Sequence, residues 1–185
     1  MFAKDMWKQS LPLLLTCGVG GILTGGLLGS MTDLFESIPG LIVVVPAIIA
    51  LRGNISTAFG SRLGSAYHLG VIDANNLFNK ELKENIIGSL ILSFVVSGIV
   101  GLLAYASTIL FFDVNPDLLK LFLIVVLAGV LSSLMLTMLT VSIIYVVFRQ
   151  GLDPDNITGP ALATFGDIVT MLCLFGSAFL LEVVW

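Results

Sequence analysis

Asp167 is the residue with the most chemistry to offer. It sits about nine positions into an apolar run that opens near Thr158. At 1.5 Å per residue that is ~14 Å of helix rise, close to the middle of a ~30 Å hydrocarbon core. A carboxylate at such depth is costly and marks a functional position by default. Gly159, Ala163 and Asp167 repeat at four-residue spacing and share a helix face, with Thr164 and Thr170 beside it. A small-walled, hydroxyl-flanked carboxylate suits a hard cation held through oxygen. Two other uses of the acid stay open: an ion pair with Arg52, or a protonated structural role.

A second polar constellation lies in Pro39 to Gly70. Pro46 stands inside the run, where it frees a carbonyl and kinks a helix. Arg52, Asn54, Ser56, Thr57, Ser61 and Arg62 then make the second half polar. Lipid does not tolerate that, so this half lines a watery cavity or protrudes into the cytoplasm. Ala50, Asn54 and Ala58 share a face that combines small walls with one amide ligand. Thr57 stands beside it. The functional reading is a pore wall; the structural one is an interhelical hydrogen bond from Asn54. Asp153 and Asp155 precede the Asp167 run and either concentrate cations at its mouth or serve as turn and cap residues. No nucleophile–base pair, phosphate loop or activated-water metal cluster is present in the sequence, so an enzyme is not expected.

The elements that must position these groups follow from composition. The 185 residues are 57% hydrophobic and 11% charged, against about 25% charged in soluble domains. That points to an all-α, multi-pass protein of the cell membrane, in contact with lipid. Five runs reach the length of a span: 11–31, 38–67, 86–112, 118–148 and 158–184. They form a single transmembrane domain, and no soluble sensor domain is expected. Lys4, Lys8, Arg62, Lys80, Lys83 and Arg149 fall on one side of the membrane and Lys120 on the other. The positive-inside rule therefore puts the amino terminus in the cytoplasm and the carboxyl terminus outside. Five is odd, and no internal repeat is visible. Any two-fold symmetry must come from a second copy of the chain.

Several residues carry milder expectations. Cys17, Gly21, Gly25 and Gly29 form a small-residue packing face on the first span. Cys17 and Cys173 lie in apolar runs as packing residues, without metal or disulfide spacing. His68 reads as a solvated or capping residue. Trp7 and Trp185 suit interfacial anchors. The mixed-charge stretch 73–84 reads as a short surface helix. No basic cluster suggests nucleic acid.

Two segments carry a family resemblance. VVPAIIALRGNISTAFGSRLGSAYHLG, from Val44, resembles the second span of MgtE-type magnesium transporters, and most closely their eukaryotic solute-carrier relatives. GLDPDNITGPALATFGDIVTMLCLF, from Gly151, resembles that family's last span, where an Asp-Pro-Asp-Asn entry precedes an intramembrane Gly-Asp. The five-span topology matches as well. The resemblance implies a pore between two five-helix units, here two copies in a homodimer. It implies hydrated Mg²⁺ at a central site on Asp167, shaped by Asn54 and the helix face of Ala163. Gating by the large cytoplasmic sensor domains of bacterial members is not expected.

The expected function is divalent cation transport, with Mg²⁺ as the transported or bound ion. Ala50, Thr57, Ala58, Gly159 and Thr164 line the path, and Asp153 and Asp155 stand at its mouth. The alternatives are a proton- or Na⁺-coupled carrier using the same acid, and a non-conducting membrane assembly subunit in which Arg52 satisfies Asp167. Preference among divalent ions is not readable from carboxylate and amide ligands.

Overall fold

A computed structural model describes residues 2–71, 80–150 and 154–185. The chain is all helical there: α1 (Phe2–Gly29), α2 (Thr32–Ser37), α3 (Leu41–His68), α4 (Lys80–Phe112), α5 (Leu118–Arg149) and α6 (Pro154–Val184). Helices are the only open-ended structure that satisfies its own backbone in lipid, so long apolar runs have little choice. Among the described residues, four helices are long and apolar enough to cross a membrane: Leu41–Ala66, Lys80–Phe112, Leu118–Val147 and Thr158–Val184. The first expected span lies on the 28-residue α1, whose described apolar stretch includes Leu14–Gly29. The chain turns at Ser30 and Met31 into the six-residue α2, which the hydropathy pattern alone did not reveal. Most of the expected 73–84 surface helix lies outside the described residues, and α4 starts at Lys80.

The contacts fix the helix directions. Along α3 and α5, Arg52 nears Gly129 and Gly60 nears Thr140, so these two run parallel. Met135 meets Cys173 and Lys120 meets Glu182, so α5 and α6 run antiparallel. Cys17 meets Pro160 and Gly20 meets Thr164, so α1 runs alongside α6 in the same direction. The main core lies between these helices where Leu41, Val44 and Ile48 pack with Leu121, Ile124, Met171 and Leu174.

The small face of α1 is not the expected one. Gly20 is the glycine pressed on α6, where a Cβ would overlap the Thr164 methyl. Gly21, Gly25 and Gly29 have open space beside them, and only Cys17 of the expected four makes a contact with α6. Four-residue spacing identifies a face without saying which neighbour covers it, and a one-residue offset rotates a helix by ~100°.

Candidate cation site

The site starts from a charge that is already spoken for. Arg52, on α3, is 1% exposed, the most deeply placed cation of the described chain. Its guanidinium donates to the Ser93 hydroxyl at 2.8 Å, the Ser97 hydroxyl at 3.0 Å and the Ser93 carbonyl at 3.4 Å. Ser93 is linked onward to Ser133 of α5 at 2.8 Å. Gly129 leaves the room: a Cβ there would overlap the Ser97 hydroxyl and stand 3.6 Å from the guanidinium. Arg52 is thus turned toward α4 and α5. Its Nε is buried with no hydrogen-bond partner. The rival ion pair between Arg52 and Asp167 does not form.

Asp167 sits on α6 partly buried, with no hydrogen bond or ion pair among the described residues. On α3, Ala50, Asn54 and Ala58 are all exposed on the surface of the single chain. The Asn54 amide side chain has no partner among the described residues, so the expected alternative of an interhelical bond is not seen. Ala163 is exposed and Gly159 half-buried on α6. Thr57 is half-buried and gives its proton to the Gly53 and Asn54 carbonyls at 2.8 and 3.2 Å.

Thr164, three residues before Asp167, packs against α1: its methyl covers Gly20, and its hydroxyl donates to the Pro160 carbonyl at 3.0 Å. Thr170 is buried in the core with its hydroxyl unpartnered. Asp153 lies outside the described residues, as does the side chain of Asp155. Among the described residues no three His, Cys, Asp or Glu side chains converge, so one chain offers Asp167 as a single carboxylate.

Sequence reasoning missed the serine cradle around Arg52. The signal was present: Ser89, Ser93, Ser97 and Gly101 repeat at four-residue spacing along α4 and are all buried. It also missed a cleft of about 210 Å³ between the second half of α3 and the start of α6, lined by Thr57, Gly60, Ser61, Gly64, Thr158 and Gly159.

A family model described as MgtE, divalent cation transporter, matches residues 45–177. The chain belongs to the MgtE family. The match takes in both the Arg52–Gly53–Asn54 triplet and the Gly166–Asp167 pair. The chain is 29% identical over 178 residues to solute carrier family 41 member 2 of Gallus gallus, which covers 91% of this chain and 30% of that protein. It is 31% identical over 179 residues to solute carrier family 41 member 3 of Mus musculus, covering 91% and 36%. It is 24% identical over 184 residues to magnesium transporter MgtE of Thermus thermophilus, covering 95% and 37%. The chain therefore spans 30–37% of the length of these relatives. With four described helices long and apolar enough to cross a membrane, the chain is a multi-pass membrane member of that family. The expected resemblance is thereby shown.

Proposed function

We propose that this chain forms half of a homodimeric Mg²⁺ pathway, with the two copies of Asp167 facing each other at its centre. The observation that carries the reading is that Arg52 is committed to Ser93 and Ser97, which leaves Asp167 without a cationic partner among the described residues. An unpaired carboxylate in a membrane is expensive, and a second copy with a shared divalent ion offsets that cost for both. The exposed stripe Ala50–Asn54–Ala58 supports the same reading. An amide facing lipid is unfavourable, whereas an amide facing a watery path can hold the water shell of an ion. Mg²⁺ gives up its water reluctantly, so the ion keeps most of its shell and meets Asp167, Asn54 and backbone carbonyls beside Ala163 through water.

In this reading α1 is the fifth span. It runs alongside α6, and its amino-terminal end lies at the same end of the bundle as that of α6. The Lys and Arg distribution places that end in the cytoplasm. The assembly-subunit alternative required Asp167 to be held by Arg52, and the guanidinium is engaged elsewhere.

Uptake of Mg²⁺ into proteoliposomes tests the proposal. Asp167→Ala and Asp167→Asn should abolish flux, while crosslinking still reports a dimer. Full flux in both variants overturns the assignment of Asp167. Flux that follows an imposed proton or Na⁺ gradient instead of the Mg²⁺ potential overturns the passive pathway and leaves a coupled carrier.

A further inference from the structure

The cleft between α3 and α6 is chemically unlike the rest of the bundle. Its walls hold three hydroxyls, those of Thr57, Ser61 and Thr158, and three glycines, Gly60, Gly64 and Gly159, with Leu162 as an apolar wall. Thr158 is 7% exposed, and its hydroxyl has no hydrogen-bond partner. A buried hydroxyl without a partner costs free energy comparable to a lost hydrogen bond. Two of the glycines keep the space open: a Cβ at Gly64 or Gly159 would meet nothing within 4 Å. Gly60 serves the opposite purpose. A Cβ there would press on Leu162 and Thr158 at 3.0 and 3.3 Å, so its absence lets α3 and α6 close behind the cleft.

The hydroxyls also have a polarity. Thr57 donates its proton to the Gly53 and Asn54 carbonyls. What it presents beyond those bonds is lone pairs. An anion needs donors and finds none at Thr57. The first turn of α6 favours an anion through its dipole, but α3 meets it running the other way, with its carbonyl end nearby, and the exposed Arg62 is not a wall of the cleft. A hydrated cation presents the reverse pattern, a shell of outward O–H donors. The cleft of about 210 Å³ has room for several waters around an ion. Among the described residues the cleft walls carry hydroxyls and no carboxylate, a lining that suits an ion keeping its water.

We infer that this cleft is a second ion site, one in each chain, which takes a divalent cation with its water shell intact and passes it to the Asp167 centre. The inference rests on the proposed pathway. Thr158 lies nine residues before Asp167 on α6, or ~14 Å of rise, so the two sites are separate stations along one helix. Neutral hydroxyls suit a station: conduction requires binding favourable enough to enter and weak enough to leave.

Two measurements test the cleft apart from the centre. The first counts Mn²⁺ bound to detergent-solubilised protein, through loss of the free-ion paramagnetic resonance signal, in an Asp167→Ala background. Adding Ser61→Ala and Thr158→Val should lower the count by one ion per chain. An unchanged count overturns the cleft site, whatever the flux of Asp167→Ala says about the pathway. The second measures Mg²⁺ flux with Asp167 intact. Ser61→Ala with Thr158→Val should raise the half-saturating Mg²⁺ concentration at least threefold without lowering the maximal rate. Gly64→Ala, whose methyl enters open space and leaves every hydroxyl in place, should do the same by filling the cleft. Unchanged half-saturation in both variants overturns the inference.

Discussion

The Arg52 guanidinium and the Ser93 hydroxyl, 2.8 Å apart, join α3 to α4 at a point where neither charge nor hydroxyl meets water. A guanidinium can only donate, so the Ser93 oxygen accepts, and the Ser93 and Ser133 hydroxyls share a second hydrogen bond at 2.8 Å. One arginine thereby orders three helices. Removing the acceptors while keeping the charge is the damaging change, because a buried group left unpaired carries its full desolvation cost. Ser93→Ala with Ser97→Ala should destabilise the chain by ~3 kcal/mol, a fall in thermal midpoint on the order of 10 °C. Arg52→Met, which removes charge and keeps length, should cost less than the serine pair. Thermal unfolding in detergent gives the order, and a larger drop for Arg52→Met would show that the guanidinium contributes by itself.

Gly129 is the complement of that cradle. Its missing side chain is the space Ser97 uses to reach Arg52, and a Cβ would lie 2.6 Å from the Ser97 Cβ. Alanine normally improves a helix interior by ~1 kcal/mol over glycine. Gly129→Ala should instead destabilise by about 1–3 kcal/mol, since Ser97 must move off the guanidinium. Ser97→Gly in the same chain relieves the overlap, so the double variant should recover most of the loss in thermal midpoint. No recovery would mean that the backbones cannot adjust there.

Much of this architecture was legible beforehand. Spans α3 to α6 follow from apolar length alone, because the bilayer leaves a long apolar run one structure to adopt. The unusual residues were legible too: Asn54, Arg52 and Asp167 stood out by type against an apolar background. Direction was not. Arg52 and Asn54 are two residues apart, so ~200° of rotation separates them. Only packing decides that the arginine turns to α4 while the amide stays on the surface. Serines hid for a related reason, since Ser93 and Ser97 read as ordinary small residues until a buried donor stands beside them. Glycine spacing likewise showed a close approach on α1, but Gly20 takes it instead of Gly21.

Asp117 ties the far end of the bundle. Its carboxylate caps α5, accepting from the Lys120 and Leu119 amides at 3.0 and 2.9 Å, and it accepts the Trp185 indole N–H at 3.1 Å. The Lys120 amide, the largest cause, holds this carboxyl below its ordinary value; desolvation comes next and opposes it, and the Leu119 amide, the indole and the Lys120 charge add to the lowering. A carboxylate with a lowered folded-state pKa stabilises the fold above its unfolded value of ~3.9 and loses that contribution as pH falls through the lower folded value. The cap should therefore be intact at neutral pH and released only under acid, below pH ~4. Tryptophan emission followed down the pH scale should show the indole released in that window. Asp117→Asn should remove the acid step, and its persistence in the variant would place the titration on another group.

The two neighbouring glycines of α1 make a sharper test of the packing. At Gly20 any side chain overlaps the Thr164 methyl and comes within 3.7 Å of Ile168, while at Gly21 a Cβ meets nothing within 4 Å. Gly20→Val should push α1 away from α6 and loosen the Cys17 contact with the Pro160 carbonyl, now 3.4 Å. Overpacking of that kind costs about 1–3 kcal/mol. Gly21→Val adds apolar surface where the chain leaves room and should be close to neutral within the protomer. Maleimide labelling of Cys17, half-buried against α6, reads the difference directly. It should quicken several-fold in Gly20→Val and stay unchanged in Gly21→Val. The reverse ranking would mean that α1 is turned by one residue from the packing described, with the Gly21, Gly25 and Gly29 face against α6.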